Sequence, residues 1–437
     1  MSSWSLRAGL ILGVFAAIGC GGTSGVDIDG GGTDGAVDPD GGNPTGDAGG
    51  GDVTTPVEAG PYGAPSTTYP AFTPYMGQLS NNGGAVLTAP VIVTITWDGD
   101  TGRPTFEGFG DGIGASSYWS AGVGEYGIGA ATSGSANHAH VTSTPPTQMS
   151  DTDIHNFISA NVGSLLPQPT SQTIYVVYLS KSTTLLFQNQ NACQAGIGGY
   201  HDSFSLNSSQ VAYAVLPRCG SDSQTTGAAS HEIGEAATDP HPNAPGIVGF
   251  DDPYLVFDLW QRGNDENGDA CEFFKDSYYV ESQPFAYEVQ RLWSNQAGPL
   301  GHSPCQPYTG AYFNVAPLQM QDITVDLSQN GGPANFKTKG YACALNQTIQ
   351  IPLGFYSDMA TTGAWTVTAA QSNPLVNPIN NGLTLSIDTA KPSGVNGEIT
   401  YLSVTVTQVG ALKAEMLTVI STLGTTKHYL PLLISSQ

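Results

Sequence analysis

The chain has 437 residues, room for two domains, and 39% of them are hydrophobic, enough to build a core in each. Acids outnumber bases 36 to 12, a formal charge of −24, with only 11% of residues charged; no clustered basic face is available, which excludes a nucleic-acid-binding surface. Low charge with 56 glycines fits a secreted or surface protein better than a cytosolic one.

The N-terminus agrees. Arg7 precedes an apolar run from Ala8 to Ile18 that is too short to span a bilayer, with small residues before the cut, as in a secretory signal. Ala17-Ile18-Gly19-Cys20 resembles a bacterial lipobox. Residues 1–20 are therefore expected to be a lipoprotein signal peptide. Acylated Cys20 would anchor the mature chain in outer-membrane lipid, which makes it an exported outer-membrane or cell-surface lipoprotein. Residues 21–66 read as an acidic Gly/Asp/Pro-rich tether: between positions 21 and 60 there are seven Asp, one Glu and no Lys or Arg, so the segment stays extended and solvated.

Residues 67–310 read as an α/β, metallopeptidase-like domain. Ala89–Trp97 is a β-branched strand bounded by Pro90 and by Asp98-Gly99. A helical stretch is expected around Phe106 to Trp119. A second helix covers Asp151 to Val162, where Ile154, Ile158 and Val162 share a face and Ser150 or Asp151 caps it. Thr173–Leu179 and Val211–Leu216 are further apolar strands. Strands alternating with helices give the α/β class.

From 311 to 437 the texture changes. Short runs around Ile323–Leu327, Trp365–Thr368, Leu383–Ile387, Leu402–Thr407, Glu415–Ile420 and Tyr429–Leu432 are separated by Gly, Asn and Pro. This spacing predicts an all-β sandwich, immunoglobulin-like by analogy. Of six cysteines, Cys20 is assigned to the lipobox. Cys193 with Cys219, then Cys271 with Cys305, are the expected bridges, which leaves Cys343 free.

The chemistry concentrates in Ser230–His241. Alanine favours helix from Gly227 onward, and Pro240 stops it near Ala237 or Thr238. His231 and Glu235 then lie one turn apart on one face, with Glu232 beside them. This is the layout of the zinc-protease motif H-E-x-x-H with the second imidazole replaced by a carboxylate. A hydrolytic zinc needs three protein ligands and an open position. His231 and Glu235 supply two, and Glu232 suits a general base that activates the water. The third is His241, at metzincin spacing, or Asp269 in Glu266–Glu272. No methionine lies between Met149 and Met320, so the metzincin Met-turn is missing, which weakens His241.

His201, after Gly198-Gly199-Tyr200, is a candidate to stabilise a developing oxyanion. His138 and His140 point the same way if extended and could chelate a metal. Tyr118, Trp119 and Tyr126 are candidates either for a groove or for the core. Ser230 lacks the surroundings of a nucleophile.

His231-Glu-Ile-Gly-Glu-Ala-Ala-Thr-Asp-Pro240 resembles the H-E-[LIV]-x-E-x-x-T-[DN]-P motif of the plant EXORDIUM, or phosphate-induced, protein family and its bacterial relatives. Val91–Trp97, Cys193 with Gly199-Tyr200-His201, Val211–Val215 followed by Cys219, and Gly268–Glu272 also match that family in order. The resemblance spans roughly residues 85 to 315. It implies a secreted protein and favours Asp269 over His241 as third ligand, because Asp269 falls on a shared motif position. The expected function is a zinc-dependent peptidase or hydrolase acting on peptide or cell-wall glycan, with Zn2+ as cofactor and an α/β zincin-like domain to hold it. The alternative is a non-catalytic surface adhesion or carbohydrate-binding lipoprotein.

Overall fold

The computed structural model of the protein describes residues 62–250, 266–272, 274, 276–326, 334–371 and 383–436. The expected leader, and the tether up to residue 61, lie outside the described residues.

The N-terminal region is mixed α/β. Its five-stranded sheet is built from β1 (Val91–Trp97), β2 (His138–Val141), β3 (Thr173–Tyr178), β4 (Tyr200–Leu206) and β5 (Ser209–Leu216), in the order β2-β1-β3-β5-β4. The first four in that order are parallel, and β4 closes one edge antiparallel to β5. The parallel strands β1, β3 and β5 are the apolar runs of the sequence, and a strand covered on both faces needs that composition. On one face lie α1 (Arg103–Ile113) and α2 (Ser117–Val123), burying Phe106, Phe109, Tyr118 and Trp119 against Ile92, Ile174, Val176 and Tyr178. On the other lies α3 (Asp151–Asn161), burying Ile154 and Ile158 against Val93, Ile95 and Val177.

Two local expectations change. The stretch from Phe106 to Trp119 is two helices, because the Ser116 hydroxyl accepts the Trp119 backbone N–H at 3.1 Å and starts a new helix after the first has ended at Ile113. The motif helix α4 (Asp222–Thr238) begins five residues before Gly227. Ser221 caps it, and the Gln224 side chain returns to the Ser221 backbone in a capping box. It stops at Thr238, as the proline requires: Asp239 sits at φ −139°, ψ 68°, outside the helical region that a following proline disfavours.

Buried α4 is covered on its outer side by a hairpin of β6 (Tyr278–Val280) and β7 (Glu288–Gln290). Thr226 Oγ1 donates to the Glu288 carbonyl at 3.0 Å, and Ser230 Oγ accepts the Gln290 N–H at 2.8 Å. The alanines, glycines and short hydroxyl residues of α4 give it the slimness to fit between sheet and hairpin.

The C-terminal region is β-rich. β8 (Phe313–Pro317), β9 (Gln321–Val325), β10 (Phe336–Ala342), β11 (Thr348–Ser357), β12 (Trp365–Gln371), β13 (Leu383–Thr389), β14 (Ser393–Gly394), β15 (Ile399–Val409), β16 (Ala414–Leu423) and β17 (Thr426–Ser435) form two sheets. Their orders are β8-β11-β15-β13 and β9-β10-β17-β16-β12-β14. Phe313, Phe355, Trp365, Leu402, Leu417 and Leu432 belong to one core drawn from both. A further cluster joins Met76, Ile247, Cys271 and Trp293 of the first region to Ile323, Met416 and Leu433 of the second. The bridges Cys193–Cys219 and Cys271–Cys305 form, and Cys343 is a buried free thiol.

Candidate metal centre

Three segments meet at the middle of α4. The helix presents His231, Glu232 and Glu235, which are 8%, 6% and 2% exposed. The antiparallel edge strand β4 brings His201, and the single helical turn Asp269–Glu272, tied down by Cys271–Cys305, brings Asp269. Both flanking segments reach the helix through a glycine. A β-carbon at Gly199 would lie 2.8 Å from Glu232 Oε1, and one at Gly268 would lie 2.8 Å from Glu235 Oε1 and 2.9 Å from His231 Nδ1. A side chain at either position would force these groups or the backbone to shift.

His231 Nε2 lies 3.0 Å from Glu235 Oε1 and 3.5 Å from Asp269 Oδ1. Two donors at zinc-bonding distance with tetrahedral angles are about 3.3 Å apart, so these separations match the edges of a zinc-sized shell as well as a direct His231–Glu235 ion pair. The other ring nitrogen is fixed from behind. His231 Nδ1 lies 2.8 Å from Gln290 Oε1, while Gln290 Nε2 donates to the Gly268 carbonyl at 2.7 Å. Because the Gln290 amide nitrogen is committed to a carbonyl, its oxygen faces the ring and must accept. Nδ1 therefore carries a hydrogen. In the neutral tautomer Nε2 then directs a lone pair at two carboxylates. That arrangement is repulsive unless a proton or a cation lies between them.

On the other side of Glu235, His201 Nδ1 is 3.4 Å from Glu235 Oε2 and 3.6 Å from Glu232 Oε2. Its Nε2 is 3.5 Å from Glu266 Oε1, and this buried nitrogen has no hydrogen-bond partner. Burial works against a charge on either imidazole, yet the carboxylates around them outweigh it: Glu266, Glu232 and Glu235 push His201 well up, and Glu235, Glu232 and Asp269 push His231 well up. Burial likewise opposes a charged Glu235, but the two imidazoles hold it well below the usual carboxylate range. Burial and neighbouring carboxylates raise Asp269, against His231. A raised imidazole beside a lowered carboxylate is what a buried ion-pair network produces, and the same donors could hold a cation in place of the protons.

Two sets of possible ligands result, His231–Glu235–Asp269 and His201–Glu232–Glu235. The helix thus carries a buried His-Glu-x-x-Glu cluster able to coordinate a divalent ion such as Zn2+, consistent with a zincin-type motif and with a metal-dependent active site.

His241, the other expected third ligand, belongs to neither set; its carbonyl accepts Ala244 N–H in the turn beyond the helix. Thr238 and Asp239 of the motif are structural, the first bonding back to the Gly234 carbonyl at 3.2 Å and the second accepting Gly246 N–H at 2.8 Å. Ser230 Oγ is occupied by the Gly227 carbonyl and Gln290 N–H. Tyr118 and Trp119 are core residues, and Tyr126 donates to the Trp293 carbonyl. His138 and His140 pair with acids of α1: His138 Nε2 lies 2.8 Å from Asp111 and His140 Nε2 2.6 Å from Glu107. Gln290 was missed, since an uncharged residue 59 positions from His231 gives no signal in sequence.

No family model matches the chain, and no curated protein matches it. Among solved structures it is similar to the titin M3 domain at 8% identity and TM-score 0.15, over 22% of this chain and 88% of that one. Domains 4 and 5 of the S-layer protein SbsC match at 14% identity and TM-score 0.16, over 28% of this chain and about half of theirs, 48%. A family 123 glycoside hydrolase from Clostridium perfringens matches at 7% and 0.16, over 29% of this chain and 27% of that one. Likenesses of this strength carry no argument about what the protein does.

Proposed function

We propose that this protein is a metal-dependent hydrolase whose ion, Zn2+ by the chemistry of its donors, is held by His231, Glu235 and Asp269. The observation that carries the reading is the orientation of His231: Gln290 accepts from Nδ1, so Nε2 faces the Glu235 and Asp269 carboxylates, where a cation could take the place of a proton. One nitrogen and two carboxylate oxygens form an ordinary zinc shell with room for a further ligand. An ion bound there would polarise a substrate carbonyl and acidify a water. Glu232, next to the ligand pair and only 6% exposed, is the base that takes the proton and returns it to the leaving group.

Several finer parts of the reading are proposals too. The chain is exported and anchored through acylated Cys20, the substrate is a peptide or cell-wall glycan, the α/β region is zincin-like and the β-rich region an immunoglobulin-like sandwich that supports it. Kinship with the EXORDIUM family rests on the motif residues alone.

The test is a zinc-loaded screen against pooled peptides and glycans with wild type and E232Q. Loss of the base should lower turnover about 10²- to 10⁴-fold while the His231 set still binds zinc. Equal turnover in both proteins would end the base role, and a metal-free wild type after zinc dialysis would end the hydrolase reading. Absence of turnover with zinc bound would favour the adhesion alternative.

A further inference from the structure

Glu235 faces both ways. Its Oε1 belongs to the His231–Asp269 side and its Oε2 to the His201 side. The separations on the second side, 3.4 and 3.6 Å, are again close to the edges of a metal shell. Each imidazole turns one nitrogen inward and backs the other with an oxygen: Gln290 behind His231 at 2.8 Å, and Glu266 behind His201 at 3.5 Å. Glu266 stands on the side where a carboxylate orients a metal-bound imidazole, although at 3.5 Å it does not hydrogen-bond to the ring. The His201 side chain is only 4% exposed, and its Nε2 lacks a hydrogen bond.

Formal charge points in the same direction. Glu232, Glu235, Glu266 and Asp269 surround two imidazoles. With the imidazoles neutral as ligands, one divalent ion offsets two of these four carboxylates and a second offsets the other two, while Glu272 nearby adds a further acid to the cluster. Buried charge without a partner costs several kcal/mol per group. Carboxylate-bridged pairs of ions about 3.5–4 Å apart are a common solution.

We propose that the centre accepts two divalent cations bridged by Glu235, the first on His231 and Asp269 and the second on His201 and Glu232. This rests on the reading that the His231 set binds a metal. It adds that His201 is a ligand and not an oxyanion donor. Occupancy then decides what Glu232 does: it is a free base with one ion bound and a ligand with two, so excess metal inhibits.

The experiment is chelator-stripped full-length protein in an H138A/H140A background, so that the surface imidazoles add no equivalent. It is titrated with Zn2+ against a chromophoric competitor and checked by elemental analysis. Two equivalents are expected, falling to one in the additional variant H201A and to one in H231A. Mn2+ loading at two equivalents should give the electron paramagnetic resonance spectrum of an exchange-coupled pair. One equivalent, lost in H231A and unchanged in H201A, would overturn the two-ion centre and leave the hydrolase reading standing. Two equivalents with an uncoupled Mn2+ spectrum would overturn the bridge, even if H201A failed to fold. No bound metal would remove both readings together.

Discussion

Replacing Gln290 by Leu tests the centre from a position no ligand rule would have chosen. The side chain is fully buried, receives His231 Nδ1–H at 2.8 Å and donates to the Gly268 carbonyl at 2.7 Å. Leu keeps the volume and removes both bonds, together with a longer one of 3.4 Å to the Arg291 carbonyl. His231 then loses the acceptor that fixes its tautomer, and the turn carrying Asp269 loses one attachment to β7. Removing such an outer partner costs roughly 10- to 100-fold in metal affinity, about 1.4 to 2.7 kcal/mol. The stranded ring N–H and carbonyl would each lower the stability of the metal-free protein by about 1–3 kcal/mol. Zinc competition with a chromophoric chelator reads the first effect, and chemical denaturation with chelator present reads the second. Q290E keeps an acceptor for Nδ1 but sets its second oxygen against the Gly268 carbonyl that Nε2 now reaches at 2.7 Å, so it should bind zinc more tightly than Q290L and less tightly than wild type. A folded Q290L that bound zinc as tightly as wild type would refute the argument, because the tautomer would then owe nothing to Gln290.

Further outcomes follow from the same geometry. Gly268→Ala places a methyl 2.8 Å from Glu235 Oε1 and 2.9 Å from His231 Nδ1, so either those side chains or the turn must move; on the proposed reading zinc affinity should fall at least about tenfold, and an unchanged affinity would mean that the turn has slack. The pH dependence of stability should carry the mark of His428. Burial first, and then Arg291, depresses its folded pKa from 6.5 to about 3, and Tyr308, Tyr312 and Phe313 pack around the ring. The neutral ring is favoured in the fold, so its contribution is complete above about pH 6.5 and is lost as pH falls toward 3, on the order of a few kcal/mol. His428→Phe should flatten that part of the acid-denaturation curve relative to wild type. A difference curve without slope in this window would show that the ring titrates freely in the native protein.

The sequence by itself determined whatever depends on local chemistry. The β-branched runs gave β1, β3 and β5 because a strand covered on both faces has to be apolar along its length. Pro240 ended α4, and the i, i+4 spacing put His231 and Glu235 on one face. The strand β11 escaped notice because Pro352 and Gly354 interrupt its pattern, and β4 because it alternates partly buried polar residues without a strong apolar signal. Only the tertiary structure decided the partners of the helix. His201 arrives on an antiparallel edge, Asp269 on a turn held by a disulfide, and Gln290 on a hairpin behind the ring. Asp269 and His241 were both open in the sequence because ligand spacing constrains residues within a helix and says nothing about loops that return from elsewhere. What brings Asp269 beside His231 and Glu235 is Gly268, which lets the backbone approach the helix, and the bridge that holds the turn in place.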